Sequence, residues 1–394
     1  MIGKTEAFDV LIAGAGPAGT SAAIRLAGSG ARVLLVEQKR FPRPKLCGEF
    51  ISPECLAHFK QLGVSKRMSE SGAIPVGETV FYSARGYPVA VPSRWFGASA
   101  LGLSRAQMDN NLLQRAKEVG VTVLEETQAT EVLFAGRRVR GLRLKSGTAT
   151  ADYQACVTID ATGRTRALAR RVPSVVKTTK SRRLRPRLLA FKAHLSDACV
   201  PRQTCEIYFY PGGYGGINGV GENLSNLCFI TLAKDVRRCG SDPEKVIREV
   251  VCKNSRAAKT LALARVQTDW LGVSLEGFGR QVVVPADGML VAGDAAAFID
   301  PFTGSGILMA LETGQLAAET IIDHLPTLRS NGDFELLAKQ YRVAYTRRFR
   351  TRLRVCSFLR TAAFVPRFAG AAILFSSASE QLRKRLATAT RSGR

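Results

Sequence analysis

The chain has 394 residues, 46% of them hydrophobic, which is enough apolar surface for a folded interior and too much length for one compact core. Its net charge of +25 sits almost wholly in residues 161–196, which contain no acid, and from Lys339 onward, where Glu380 is the single acid. No helix-turn-helix, zinc-finger spacing or aromatic RNP-like strand accompanies that charge, so nucleic acid is not an expected partner; an anionic membrane surface, a polyanionic cofactor and a plain solvated face stay open.

At the N-terminus, Glu6 and Asp9 stand where a secretory leader needs an unbroken apolar run. The nine cysteines form no CxxC pair, and an odd count suits reduced thiols in a cytosol better than a disulfide framework. The first element is FDVLIAGAGPAGTSAAIRLAGSGARVLLVEQ. Val10, Leu11, Ile12 and Ala13 predict a buried strand, and Gly14, Gly16 and Gly19 follow as GxGxxG around Pro17 and Ala18. A helix to about Gly28 and a second strand, Val33–Val36, then lead to Glu37. Glycines in this order allow backbone amides to approach a pyrophosphate at the positive end of the helix, with Glu37 accepting from an adenosine ribose hydroxyl.

Next comes KLCGEFISPE at 45–54, a turn-rich piece in which Cys47 and Gly48 stand side by side. LSRAQMDNNLLQRA at 103–116 predicts a helix opening at Arg105. In CVTIDATGRTRAL a strand over 156–159 ends in Asp160, with Gly163 three residues on. Strands are expected at Thr204–Tyr210 and over 226–232, flanking the glycine-rich PGGYGGINGV.

GMLVAGDAAAFIDPFTGSGILMALETG at 288–314 repeats the strand, loop and helix order. An ionised Asp294 at the end of so apolar a strand needs a hydrogen-bonding partner, and a ribityl hydroxyl suits it. A helix opening at Gly304, Ser305 and Gly306 would aim its N-terminal amides at a group that gains negative charge, as the N1–C2=O edge of a flavin does on reduction. This second site points to FAD where the first alone leaves NAD equally open. From Asp333 a long helical pattern begins, with a basic run over 347–354. The apolar stretch 362–378 is shorter than the ~20 residues of a membrane span, and Arg367 would cost roughly 2.5–3.5 kcal/mol inside one. Two readings remain for it, peripheral docking on an anionic leaflet or a helix pair covering a substrate tunnel.

GAGPAG with Glu37, the DATG step and GDAAAFIDPFTGSG together resemble the FAD-dependent oxidoreductases of the p-hydroxybenzoate hydroxylase fold, and within it the geranylgeranyl reductase group. The likeness spans about residues 8–325. It implies an α/β fold: a Rossmann-type FAD-binding domain (1–80, 101–172 and 278–325), an inserted mixed β-sheet substrate domain (81–100 and 173–277) and a basic helical C-terminal region (326–394). It also implies FAD contacts from Gly14, Gly16, Pro17, Ala18, Gly19, Glu37, Arg105, Asp160, Gly163 and Asp294, and isoalloxazine contacts from Pro301, Gly304, Ser305 and Gly306.

In that fold the segment after the second strand passes over the flavin, and geranylgeranyl reductases resemble this chain in having a cysteine followed by glycine there. Flavin-dependent halogenases resemble its FPR…GE without the cysteine, and their WxWxIP stretch is absent. Cys47 is thus either a catalytic group beside the flavin or a small residue in a bend. Where such reductases line a lipid pocket with Tyr-x-Trp-x-Phe-Pro, this chain keeps Tyr214 but has Gly216, Asn218 and Gly219. The histidines, at 58, 194 and 324, have no HExxH spacing, GxSxG is missing and a second GxGxxG is missing, so no metal is expected and NAD(P)H is a transient reductant without its own domain. The expected function is NAD(P)H-dependent reduction of a hydrophobic isoprenoid, lipid or polyketide-like substrate by a cytoplasmic protein, peripheral at the membrane in the docking reading. The alternatives are an aromatic or polyketide monooxygenase and a non-catalytic flavin-binding protein.

Overall fold

The computed structural model describes residues 7–173, 187–276, 278–301, 304–330, 334–363 and 379–389. Residues 174–186 of the first basic run lie outside them, as does the apolar stretch 362–378 apart from its first two residues.

Residues 10–13 and 33–36 are at most 2% exposed, because parallel strands covered on both faces are apolar throughout. Ala7–Ala13 pairs in parallel with Val33–Val36 and with Ala149–Asp160, and Val33–Val36 pairs in turn with Thr122–Leu124. Met289–Val291 joins the far side of Ala149–Asp160, so the two motif-bearing strands flank the strand that ends in Asp160. That middle strand is longer than the sequence suggests. Its first half is largely exposed and forms an antiparallel hairpin with Arg138–Ser146, so only the buried end carries an apolar signature. The helices Pro17–Gly28 and Gly306–Ile322 pack closely on one another. A side chain at Gly314 would strike the Ala18 carbonyl and the Ser21 hydroxyl, and Ser21 donates to the Leu311 carbonyl at 3.3 Å.

Asp9 belongs to this framework. Its buried carboxylate accepts from both Arg329 nitrogens, at 2.9 and 2.7 Å, and from the Arg32 amide at 2.7 Å, so it ties the first strand to the segment after Gly306–Ile322. The Arg329 hydrogen bonds hold its pKa below the ordinary carboxylate value. A depressed folded-state pKa gives stability that is complete above the unfolded value of about 3.9 and is lost as pH falls through the folded one. Asp9→Asn is expected to cost about 2 kcal/mol in urea unfolding at neutral pH, with the difference from wild type shrinking below pH 4.

The second sheet has eight strands. Its main path runs from Arg265–Val266 through Leu188–Ser196, Leu224–Leu232, Gly213–Gly221 and Thr204–Tyr210 to Glu78–Tyr82 and Pro88–Pro92, and Leu271–Leu275 pairs with Leu188–Ser196. It is mixed because Thr204–Tyr210 pairs in parallel with Glu78–Tyr82. Glu78–Tyr82 begins three residues before the expected start of the substrate domain at 81. Period-2 alternation divides the faces. Phe191, Tyr208, Ile217 and Phe229 pack under the short helices that bear Val236, Val246 and Ala257, while Ala190, Phe209, Tyr214 and Ile230 pack with Phe298 and Leu46 on the other side.

Phe334–Ala363 is a single helix, and it is not solvated all round. Tyr341, Tyr345 and Phe349 are fully buried, Tyr341 Oη donates to the Val291 carbonyl at 2.8 Å, and Arg352, 2% exposed, forms a buried ion pair with Glu312. Among the described residues no helix is long and apolar enough to cross a membrane.

Candidate active site

The glycine turn divides its work. Gly14 has φ +102, and a side chain there would collide with the Ala161 carbonyl; one at Gly19 would strike the Gly14 carbonyl. Gly16 has nothing within 4 Å. The first and third glycines are therefore required by the protein's own packing, and the middle one borders open space at the N-terminal end of Pro17–Gly28. Pro17 starts that helix and Ala18 packs under Gly293. Glu37, at the end of the second strand, accepts from the Ala15 and Lys39 amides, each at 3.0 Å, and faces Arg43 at 3.6 Å. Arg43 also pairs with the buried Asp109 at 3.2 Å, which Arg105 grips with both Nε, at 2.8 Å, and Nη2, at 2.7 Å. Burial opposes the charge of Arg105, but Asp109 and then Cys47 raise its pKa above the ordinary value.

Asp294 lies just past Met289–Val291, and among the described residues no group donates a hydrogen bond to its carboxylate. Burial raises its pKa, while the fields of Lys45, Arg105 and Arg164 pull the other way, so all three cations lie near it. Burial in turn lowers Lys45, with Arg105 adding to the effect. Pro301, Gly304 and Ser305 lead into Gly306, the first residue of Gly306–Ile322; Phe302 and Thr303 lie outside the described residues. The Asp160 carboxylate is taken up locally, accepting from the Thr162 amide at 3.0 Å, the Thr162 hydroxyl at 2.6 Å and the Ala169 amide at 2.8 Å. What the DATG step turns toward the glycine loop is the Ala161 carbonyl, and Gly163 has open space beside it.

Cys47 is half-buried, and its Sγ accepts from the Glu49 amide at 3.4 Å and lies near enough to Arg105 for the two to interact electrostatically. Its surroundings are not announced by the residues next to it in the chain. Glu49, at φ +53 and fully buried, accepts from the Arg105 amide at 2.8 Å, His194 Nε2 at 2.6 Å and Lys192 Nζ. Its burial works against the charge, but the His194 hydrogen bond and the Lys192 ammonium hold its pKa below the ordinary value. Asn226 donates to the Cys47 carbonyl at 3.1 Å. The one signal in the sequence was FKAH, where two basic side chains alternate along an otherwise apolar strand. His58 and His324 bond elsewhere, to Gln315 and the Thr320 carbonyl.

Tyr214 is buried and donates to Asp300, so it joins the substrate sheet to the loop before Gly306. Side chains fill the space above its neighbouring glycines: Ile207 lies over Gly216 and Phe229 over Gly215.

The FAD binding domain family model matches residues 7–326. The chain belongs to this family. Within the family it stands with the geranylgeranyl reductase group: it is 30% identical to digeranylgeranylglycerophospholipid reductase of Methanoculleus marisnigri over 79% of this chain and 76% of that one. It is 27% identical to menaquinone reductase of Mycobacterium tuberculosis over 80% and 77%. Among solved structures the fold is shared with the flavin-dependent brominase Bmp2 (TM-score 0.81, 21% identity, 98% of this chain and 95% of that one). It is shared also with a geranylgeranyl bacteriochlorophyll reductase-like protein of Thermoplasma acidophilum (TM-score 0.72, 21% identity, 91% and 86%). Every relative named is an enzyme, and this FAD-binding chain is an FAD-dependent oxidoreductase, not a non-catalytic flavin carrier.

The residues present fit FAD. Gly16 leaves free the volume a pyrophosphate needs, and the half-buried Asp294 carboxylate, near three cations and without a donor among the described residues, calls for a hydroxyl donor of the kind a ribityl chain carries.

Proposed function

We propose that this oxidoreductase reduces a carbon–carbon double bond in an isoprenoid or lipid chain, with NAD(P)H as the source of electrons. The observation that carries the reading is the wall that meets the Cys47 segment. Ala190, Phe209, Tyr214 and Ile230 pack with Phe298 and Leu46, one residue from Cys47, so an apolar surface leads to a thiol in the field of Arg105. Relatives aligned over three quarters of the chain are named as reductases of digeranylgeranylglycerophospholipid and of menaquinone, which agrees with such a surface.

FAD, when bound, supplies the two-electron chemistry. The chain's residues would hold it with the turn from Gly14 to Gly19, Glu37 at the ribose, Asp294 at the ribityl chain and the 301–306 loop at the ring. Arg105 and Lys45 would lend positive charge to the same site, and Cys47 would hold the proton that a reduced double bond requires. The decisive measurement mixes NAD(P)H-reduced protein with a polyprenyl lipid in the absence of oxygen. Reoxidation with a saturated product is expected, whereas a requirement for oxygen and an oxygenated product would replace the reading with a monooxygenase.

The substrate class also bears on where the protein works. Arg342, Arg347, Arg350 and Arg354 are exposed on Phe334–Ala363 together with Val343 (60%) and Phe358 (73%), a basic face with apolar points. An anionic bilayer is the partner proposed for it. Sedimentation with anionic vesicles is expected to exceed that with neutral ones and to fall with salt, since screening acts over about 8 Å at physiological ionic strength. Equal recovery from both would remove the membrane from the account.

A further inference from the structure

The substrate sheet turns a graded face toward Cys47. Cross-strand register places Ala190, Ile230 and Tyr214 in one row, Lys192 and Cys228 in the next, and His194, Asn226 and Asn218 in the last. The apolar rows form the wall described above. The polar rows have no part in it, yet they enclose Glu49, a fully buried carboxylate on the segment that bears Cys47.

We propose that His194 and Glu49 form the route by which solvent protons reach the reduction site, His194 as the outer station and Glu49 as the inner one, with Lys192 balancing the carboxylate's charge. The inference rests on the reductase reading and extends it.

Reducing one double bond consumes two electrons and one hydrogen from the reduced flavin, and one proton from elsewhere. That proton adds to the second carbon from Cys47; Glu49 restores it to the thiol, His194 restores it to Glu49, and water restores it to His194, so that electrons and atoms balance at each turnover. The geometry supports each station. His194 Nε2 lies 2.6 Å from Glu49 Oε2, and the His194 side chain is 17% exposed where that of Glu49 is 0%. A hollow of about 340 Å³ borders Gly219 and Ser225, one residue along from Asn218 and Asn226, so solvent has access to this end of the sheet.

On the inner side, Asn226 Oδ1 is buried and has no donor among the described residues, although Asn226 Nδ2 is bonded to the Cys47 carbonyl. An acceptor left open there is the place for a water that links Glu49 to the thiol. The other charged or titratable groups facing this chain are Arg105, whose pKa Asp109 keeps above the ordinary value against burial, Lys45, whose pKa burial lowers, and Cys228, whose thiol burial pushes up to about 12 and so keeps out of the transfer. Glu49 holds φ +53, a conformation kept only where surroundings enforce it, and here Lys192, His194 and the Arg105 amide do so.

The test uses the flavin-loaded protein and His194→Ala, whose gap opens toward solvent. Anaerobic reoxidation of the NAD(P)H-reduced variant by a polyprenyl lipid is expected to slow by roughly 100-fold and to recover at least about tenfold when imidazole is added. Glu49→Gln should be slowed as much without recovery. An independent reading comes from ¹⁵N-imidazole NMR, which is simple with three histidines in the chain. In cofactor-free protein the His194 ring proton should exchange with water faster than turnover, and its resonance should move in Glu49→Gln. If wild-type protein is reoxidised but His194→Ala keeps the wild-type rate, is slowed without imidazole recovery, or shows a ring proton sealed from water, the relay is overturned while the reductase reading stands. If reduced wild-type protein is not reoxidised by the lipid at all, both fall.

Discussion

A Gly16→Val protein is expected to fold normally and to purify without flavin. The expectation depends on how the three glycines divide their work. A side chain at Gly14 would collide with the Ala161 carbonyl and one at Gly19 with the Gly14 carbonyl, so Gly14→Ala and Gly19→Ala should lose stability before any question of binding arises. Gly16 meets nothing within 4 Å, and an isopropyl group there occupies only the volume in which a pyrophosphate would contact the helix amides. Far-ultraviolet circular dichroism and the melting temperature of cofactor-free protein should therefore match wild type. FAD affinity should fall by about 100-fold or more, a loss of ~2.7 kcal/mol. Titration of the cofactor-free proteins with FAD measures it. Full flavin content in purified Gly16→Val would show that the pyrophosphate lies elsewhere.

The glycine turn was readable because its signature is local: a strand buried on both faces, a helix start and an acid follow within thirty residues, and only the Ala161 carbonyl that crowds Gly14 comes from a distant strand end. The same holds for Val33–Val36, whose apolar character is continuous to its ends. Legibility fails where the partner is distant. Glu49 is bonded to groups 143 and 145 residues away, and nothing in KLCGEF announces either the left-handed backbone or the two basic residues waiting on another strand.

Charge was misleading for a related reason. The run over 347–354 suits a solvated or membrane-facing surface as a string of letters, but helical spacing sends Arg348 and Arg352 to Glu312 and leaves Arg347, Arg350 and Arg354 outside. A basic run therefore reports composition, and only the helix phase says which cations are free for an anionic partner. Likewise nothing around Tyr214 announces that its hydroxyl is committed to Asp300.

Replacement of Cys47 by alanine should separate the two halves of the proposed reaction. Reduction of the bound flavin by NAD(P)H needs no proton from this thiol, so its rate in Cys47→Ala is expected to stay within about twofold of wild type. Saturation of a double bond does need one, delivered inside a chamber whose apolar wall excludes bulk water, and a positioned general acid contributes roughly 100-fold or more. Anaerobic stopped-flow measurements follow both steps in one protein: the loss of flavin absorbance on mixing with NAD(P)H, then its return on mixing with a polyprenyl lipid. The second step should slow in Cys47→Ala while the first does not. Alanine also removes the acceptor of the Glu49 amide and the partner of Arg105, so looser packing alone could slow catalysis. Cys47→Ser tells these apart, because it keeps a donor and acceptor of similar size but a weaker acid. A serine variant as slow as alanine assigns the effect to proton transfer, one as fast as wild type assigns it to the hydrogen bonds, and an unchanged rate in Cys47→Ala reduces the residue to a small side chain filling a bend.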